Sequence, residues 1–145
     1  ASYGVDTNAC SLASPCRSFA TAISKTNPTG EVIVLDSAGY GPVTITQSVS
    51  IVAPPGIYGG ISVSSGNGVT INAPGATVVL RGLSINGQGG THGILAVNAS
   101  RVRVESCVIS HMNGVGVYHT MPNGAMPMSM GNMSRTPSTK GGREK

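Results

Sequence analysis

The chain has 145 residues, among them 21 glycines, while aromatic residues make up 3% and charged residues 10%. This length allows one domain, and the composition is typical of many short strands joined by tight turns, where glycine accepts positive φ angles. The net charge of +4 does not indicate nucleic-acid binding, because no basic stripe is interleaved with aromatic side chains. No apolar run is long enough to span a membrane.

Residues 1–30 are predicted to form an N-terminal cap that contains one short helix. Ser14 is a favourable N-cap residue and Pro15 tolerates the first helical position, so we expect the helix to begin there. The apolar side of this helix consists of Phe19, Ala20, Ala22 and Ile23. Such a helix would cover the open end of the repeat structure that follows.

The cysteines divide into a pair and a single residue. Cys10 and Cys16 flank a short loop, and this spacing favours a local disulfide over two free thiols at the helix start. A disulfide would indicate an oxidising compartment. Cys107 falls at an apolar strand position, where a lone cysteine behaves as a small buried hydrophobe.

Residues 31–118 carry a repeated strand pattern. Short segments of alternating apolar and polar residues lie at 69–71, 78–80 and 83–85, and again at 95–97, 102–104 and 107–109. The offset is 26 residues for the first pair and 24 for the other two. Strands too short to bury an apolar face alone, repeated at a period in the twenties, predict a β-solenoid. The first offset predicts that Leu95 and Val97 point into the core.

Residues one period apart in a solenoid lie directly above one another, about 4.8 Å apart. The offsets predict these columns of side chains: Val78 with Val102, Leu80 with Val104, Leu83 with Cys107, and Ile85 with Ile109. On the outer face they place Arg81 beside Glu105, a favourable pair of opposite charges.

Residues 119–145 are predicted to be a disordered or loosely attached tail. The segment is rich in Met, Pro and Gly and has no alternation with a period of two. Alternating methionines suit Cu(I), but a low-complexity segment is the favoured interpretation, and no metal site is predicted.

The stretches DTNACSLASPCRSFATAI, GEVIVLDSAGYGPVTITQSVSI and GVTINAP…VVLRGLSING resemble the start of bacterial secreted proteins of the pectin-lyase-like superfamily, which are right-handed parallel β-helices. The resemblance covers residues 3–118 and is most specific in PCRSFATAI and GEVIVLD. It implies a secreted or periplasmic protein with a capping helix and a right-handed, three-sheeted solenoid. We expect about three to four rungs here, whereas members of the superfamily are usually longer.

The best-known enzymes of that superfamily use clustered carboxylates. Pectate lyases need acidic residues that hold calcium, and polygalacturonases need several aspartates for acid–base chemistry. The acidic residues of this chain are Asp6, Glu31, Asp36, Glu105 and Glu144. No two predicted columns bring carboxylates together, so neither chemistry is expected, and no cofactor is predicted.

One edge of the predicted solenoid gathers polar side chains. They are Asn86, Thr91, His92, Ser110, His111 and Asn113. The offset places Asn86 beside Ser110, and alignment of Gly93 with Gly114 places His92 beside Asn113. Serine and histidine there can form a nucleophile–base pair, although polar residues also belong on a solvated turn and no carboxylate is placed to orient an imidazole.

Two functions remain open at this stage. The leading expectation is a secreted β-helix module with a carbohydrate-related binding role or a structural role, without catalysis. The alternative is a small hydrolase of an ester or glycan, with Ser110, His111 and His92 as catalytic residues and Asn86, Thr91 and Asn113 as binding residues. The expected partners are a second copy of the chain and a polysaccharide or small ester.

The C-terminal end of the predicted solenoid generates a testable expectation. No helix covers the rung that opens at 114–117, and unpaired strand edges beside an apolar cross-section favour pairing with another chain. We expect a homo-oligomer through Val115, Val117 and Tyr118, and a two-fold end-to-end dimer is the simplest closed form. Light scattering should detect a dimer that Val115→Lys with Val117→Lys dissociates, and a strict monomer would contradict the expectation.

Overall fold

The computed structural model describes residues 1–120 and the backbone of two later strands, 128–131 and 134–135. It is a parallel β-solenoid of about three turns with one short helix near the N-terminus, which confirms the predicted fold class. Within the described residues, no helix is both long and apolar enough to cross a membrane. The elements in chain order are α1 (Phe19–Lys25), β1 (Gly30–Ile33), β2 (Ala38–Gly39), β3 (Val43–Ile45), β4 (Val49–Val52), β5 (Gly59–Val63), β6 (Asn67–Arg81), β7 (Leu83–Gly87), β8 (His92–Glu105), β9 (Val108–Ser110), β10 (Val117–His119), β11 (Met128–Gly131) and β12 (Ser134–Arg135).

The solenoid has three faces, two of which belong to one hydrogen-bonded sheet. In the first face, the early parts of β6 and β8 pair with β3 and β10. In the second face, the strand order is β1, β4, the later part of β6, the later part of β8, and β11. The third face is a separate sheet with the order β2-β5-β7-β9-β12. Every pairing is parallel, as stacked rungs require.

The predicted 24-residue columns are present in the second and third faces. Leu80 is the partner of Val104 and Ile85 of Ile109, and each of the four side chains is at most 1% exposed. Burying an aliphatic side chain of this size contributes about 1.5–3 kcal/mol, so the columns dominate the stability of the fold.

The predicted outer pair of charges is also present. The Arg81 guanidinium donates to the Glu105 carboxylate from Nε at 3.0 Å and from its terminal nitrogen at 2.8 Å. Arg103 forms a second ion pair with the same carboxylate.

In the first face, the 26-residue offset predicted between β6 and β8 is wrong by one residue. Ile71 is the partner of Ala96, not of Val97, and Leu95 and Val97 are half-buried on the outer side. A shift of one residue turns every side chain of a strand to the other face. The stretch Ile94–Val97 is apolar at each position, so its periodicity could not determine which residues point inward.

The capping helix begins later than predicted, because Ser18 and not Ser14 is its N-cap. The Ser18 hydroxyl accepts a hydrogen bond from the Thr21 N–H at 3.2 Å, which satisfies one of the free donors of the first turn. The Asp6 carboxylate accepts from the Ser18 N–H at 2.9 Å, and this hydrogen bond lowers the pKa of Asp6. Pro15 instead belongs to the loop before the helix.

The cap closes the N-terminal end of the solenoid. Phe19 and Ile23 are buried in the same core as the strands, and the Phe19 ring lies 5.2 Å from that of Tyr40. A disulfide joins Cys10 to Cys16 in the loop that precedes the helix, whereas Cys107 is a free thiol in the core. Burial raises the pKa of the Cys107 thiol.

The segment 119–145 contains more regular backbone than the sequence predicts. β10 ends at His119, and β11 and β12 add strands beyond β8 and β9. These strands lie within the segment predicted to be a disordered or loosely attached tail, and residues 121–127, 132–133 and 136–145 lie outside the described residues.

Truncation of a buried column residue tests this register. Ile85→Ala removes methyl groups from a site that is 1% exposed, so it should lower the free energy of unfolding by about 2–5 kcal/mol. Val108→Ala is the matched control, because Val108 is 42% exposed one position before the partner of Ile85, and its change should stay within about 0.5 kcal/mol. Chemical denaturation that finds equal effects for the two variants would contradict the register.

Candidate functional site

Asn86 and Ser110 lie side by side on the third face, as their predicted offset requires. They are Cα partners in β7 and β9, and the Ser110 hydroxyl donates to the Asn86 side-chain oxygen at 3.5 Å. Both side chains are half-buried. The pair therefore presents one amide and one hydroxyl on the outer surface.

His92 lies at the start of β8, on the first face, where its ring is fixed by two neighbours. Its Nδ1 accepts a hydrogen bond from the Val115 N–H at 3.1 Å, and its ring lies 5.0 Å from that of Tyr118. In neutral imidazole one nitrogen accepts and the other carries the proton. Acceptance at Nδ1 therefore places the proton of the neutral ring on Nε2.

The predicted contact between His92 and Asn113 is absent. The Asn113 side-chain amide donates to the carbonyl of Gly89 at 3.1 Å instead. The alignment of Gly93 with Gly114 was wrong, because the backbone of Gly93 lies against that of Gly116. A Cβ at Gly93 would stand 2.7 Å from the Gly116 carbonyl oxygen, so this close approach is what the glycine permits.

The remaining predicted edge residues contribute mainly through their backbone. The Thr91 carbonyl accepts from the Gly114 N–H at 2.7 Å, and the Thr91 N–H donates to the Gly66 carbonyl at 2.6 Å. His111 is exposed and has a φ of 59°, a left-handed conformation in the loop that follows β9. Both residues help to shape the connections between rungs.

The described residues do not bring the predicted nucleophile and base together. The Ser110 hydroxyl bonds to Asn86, and neither histidine ring is among its hydrogen-bond partners in residues 1–120. That part of the chain also lacks any group of three or more His, Cys, Asp or Glu side chains that could hold a metal ion.

The third face also contains an aromatic feature that the sequence analysis missed. The ring of Tyr58 lies across Gly60, with Cζ and Oη at 2.7 and 2.9 Å from the position that a Cβ of Gly60 would occupy. The Tyr58 side chain is nevertheless 47% exposed. Its backbone is fixed, because its N–H donates to the Ser37 hydroxyl at 2.8 Å. Any side chain at position 60 would displace the ring.

Small polar residues continue the surface that Tyr58 begins. Gly60 is the Cα partner of Ser84, and one step further along the strands Ser62, Asn86 and Ser110 form a column across three rungs. We define the polar face by Tyr58, Gly60, Ser62, Ser84, Asn86 and Ser110. The sequence signal for it is an aromatic residue two positions before a glycine that takes an outward position of β5.

The comparisons with known proteins add no assignment. No protein-family profile, curated protein or solved structure matches the chain with significance.

The tautomer of His92 can be measured directly. Because Nδ1 accepts the Val115 N–H, long-range proton–nitrogen correlation spectra above neutral pH should show the proton on Nε2. The exposed ring of His111 provides an internal reference in the same spectrum. A proton on Nδ1 of His92 would contradict the hydrogen bond and would leave Nε2 free to act as a base.

Proposed function

We propose that the chain is a carbohydrate-binding module that binds a neutral polysaccharide on the polar face. The observation that carries the proposal is the exposed ring of Tyr58, which lies over Gly60 beside a column of hydroxyl and amide groups. Sugars present an apolar C–H surface and a rim of hydroxyl groups. An amphipathic aromatic ring can pack against the C–H surface, and groups that both donate and accept hydrogen bonds can pair with the hydroxyl groups.

The absence of charge on the polar face supports a neutral ligand. Its six residues contain no ionisable group apart from the phenol of Tyr58. The arginines and the glutamate of the central rungs lie on the second face, where Glu105 is paired with Arg81 and Arg103. An acidic polymer such as polygalacturonate would find no cation on the polar face to offset its charge.

The regular spacing of the face supports an elongated ligand. Ser62, Asn86 and Ser110 come from successive rungs, which repeat about every 4.8 Å. Their strands are held by the buried columns beneath, so the binding groups are ordered before the ligand arrives, which reduces the entropy lost on binding.

Membership of the pectin-lyase-like superfamily, a bacterial source and export belong to the same proposal. The stretches that resemble that superfamily support it, and so does the Cys10–Cys16 disulfide, because such bonds persist in oxidising compartments. The hydrolase alternative stays a prediction. The Ser110 hydroxyl is hydrogen-bonded to Asn86, and no contact among the described residues favours catalysis.

Affinity electrophoresis in gels that contain a soluble polysaccharide tests the proposal. The wild-type chain should be retarded by at least one of β-glucan, galactomannan and xylan. Tyr58→Ala should weaken that retardation by about tenfold or more, because a stacked aromatic ring often supplies over 1.4 kcal/mol of binding free energy. Asn86→Ala should weaken it less, since one polar partner is removed.

Tyr118→Ala is the matched control, because Tyr118 is 41% exposed on a different face and its loss should leave the retardation unchanged. Equal retardation of wild type and Tyr58→Ala, retardation by polygalacturonate alone, or no retardation in any gel would each refute the proposal. Release of reducing sugar or of an ester product would instead favour the hydrolase.

A further inference from the structure

A cavity of about 380 Å³ lies at the N-terminal end of the solenoid, and none of the six residues of the polar face lines it. One wall is the run from Glu31 to Leu35, which contains the end of β1. The opposite wall is the disulfide loop, including Leu12, together with Ala22 of α1. The volume is in the range of small ligand sites.

The strand that forms this wall has a free edge. β1 is the first strand of its sheet, and β4 is its one pairing partner among the described residues. The Val34 N–H donates to the Val52 carbonyl at 2.9 Å, so Val32 and Val34 direct their backbone groups towards β4. Because alternate residues of a strand point their N–H and C=O groups to opposite sides, those of Glu31 and Ile33 point away from β4.

The cap forms hydrogen bonds with the backbone at the first edge of the third face, but it forms none with the free edge of β1. The Arg17 guanidinium donates to the Gly39 carbonyl at 2.7 Å, and the Phe19 N–H donates to the Tyr40 carbonyl at 3.0 Å. No such bond reaches the backbone of Glu31 or Ile33 from any described residue. The first strand of the second face is therefore left open beside a cavity.

We propose that this edge binds an extended peptide segment as an additional parallel strand. The N–H of one peptide residue would donate to the Glu31 carbonyl, and its carbonyl would accept from the Ile33 N–H, which is the pairing used by every other strand of the sheet. That residue would lie beside Val32 and direct its side chain towards Phe19 and Ala22 in the cavity.

The side chains along the edge define the chemistry of the peptide. Glu31 is exposed, and the ion pairs of the described residues do not include its carboxylate. Lysine or arginine beside it would give a cross-strand pair of opposite charges. Ile33 is 42% exposed on the same outer side, and Leu12 is 79% exposed on the disulfide loop. The fitting sequence is therefore a basic residue followed by two apolar, preferably β-branched residues.

A second copy of the chain fits this edge less well than a free peptide. The helix α1 and the disulfide loop stand on the same end of the solenoid, so the flat end of another solenoid would meet them before its strands reached β1. A short extended segment can lie in the slot between cap and strand.

The test uses the full chain and a synthetic peptide, SKVIVS, with acetylated and amidated ends. Its lysine, first valine and isoleucine are designed to lie beside Glu31, Val32 and Ile33. Nitrogen-15 spectra of the labelled chain should show shifts that saturate with peptide and centre on residues 31–35. A peptide N-methylated at its first valine lacks the essential donor and should bind at least about tenfold more weakly.

Two variants of the chain test the edge itself. Ile33→Pro removes an N–H that faces away from β4, a position where an edge strand tolerates proline. The thermal unfolding temperature should therefore stay close to that of the wild type, while the affinity for the peptide should fall about tenfold. Glu31→Lys should weaken the binding of SKVIVS about twofold to fivefold, as expected for the loss of an exposed ion pair. The same variant should bind the charge-reversed peptide SEVIVS more tightly than the wild type does. Tyr58 lies outside the cavity, so Tyr58→Ala should leave the affinity for the peptide unchanged.

The outcomes separate this proposal from the carbohydrate site. Saturable shifts at 31–35 that Ile33→Pro and N-methylation both reduce would support it, whatever the polysaccharide gels show. An absence of binding, equal affinity of the N-methylated peptide, or shifts confined to other faces would overturn it. So would self-association that Ile33→Pro abolishes, because the occupant would then be a second copy.

Discussion

The fold depends on the stacking of aliphatic side chains from successive rungs. A single rung contributes only short strands and cannot remove its apolar face from water, so the columns through Leu80 and Ile85 supply the buried contacts that each rung lacks alone. The backbone pairing follows the same register, because every strand is hydrogen-bonded to its counterpart one period away. At the N-terminal end the column has no preceding rung, and Phe19 and Ile23 of the cap take its place.

This division between inside and outside determines where binding surfaces can arise. The side chains at inward positions pack in the core, whereas the side chains at outward positions differ between the faces. On the second face the outward residues form an ion-pair cluster around Glu105, whereas the residues of the polar face are uncharged, with Tyr58 lying over Gly60. The same rigid frame therefore presents a charged surface, a neutral polar surface and, at its first rung, a free strand edge.

The sequence predicted the solenoid and the columns of its second and third faces because the periodicity of 24 residues is unambiguous there. It failed in the first face, where the stretch around Leu95 is apolar at consecutive positions and either alternate set could have pointed inward. It also placed the helix start at Ser14, since local propensity does not reveal the contact between Asp6 and Ser18 that selects the true N-cap. For the site, the Asn86–Ser110 pair followed from the register, but the position of Tyr58 depends on a close approach to Gly60 that no spacing rule contains.

The register is tested most directly by nuclear Overhauser contacts between methyl groups in a selectively labelled sample. The structure predicts contacts from Ile85 to Ile109, from Leu80 to Val104 and, in the first face, from Ile71 to Ala96. These pairs are adjacent in parallel strands, where side chains on one face lie about 4.8 Å apart. A contact from Ile71 to Val97 in place of Ala96 would contradict the register of the first face, and the absence of all three contacts would contradict the stacked solenoid itself.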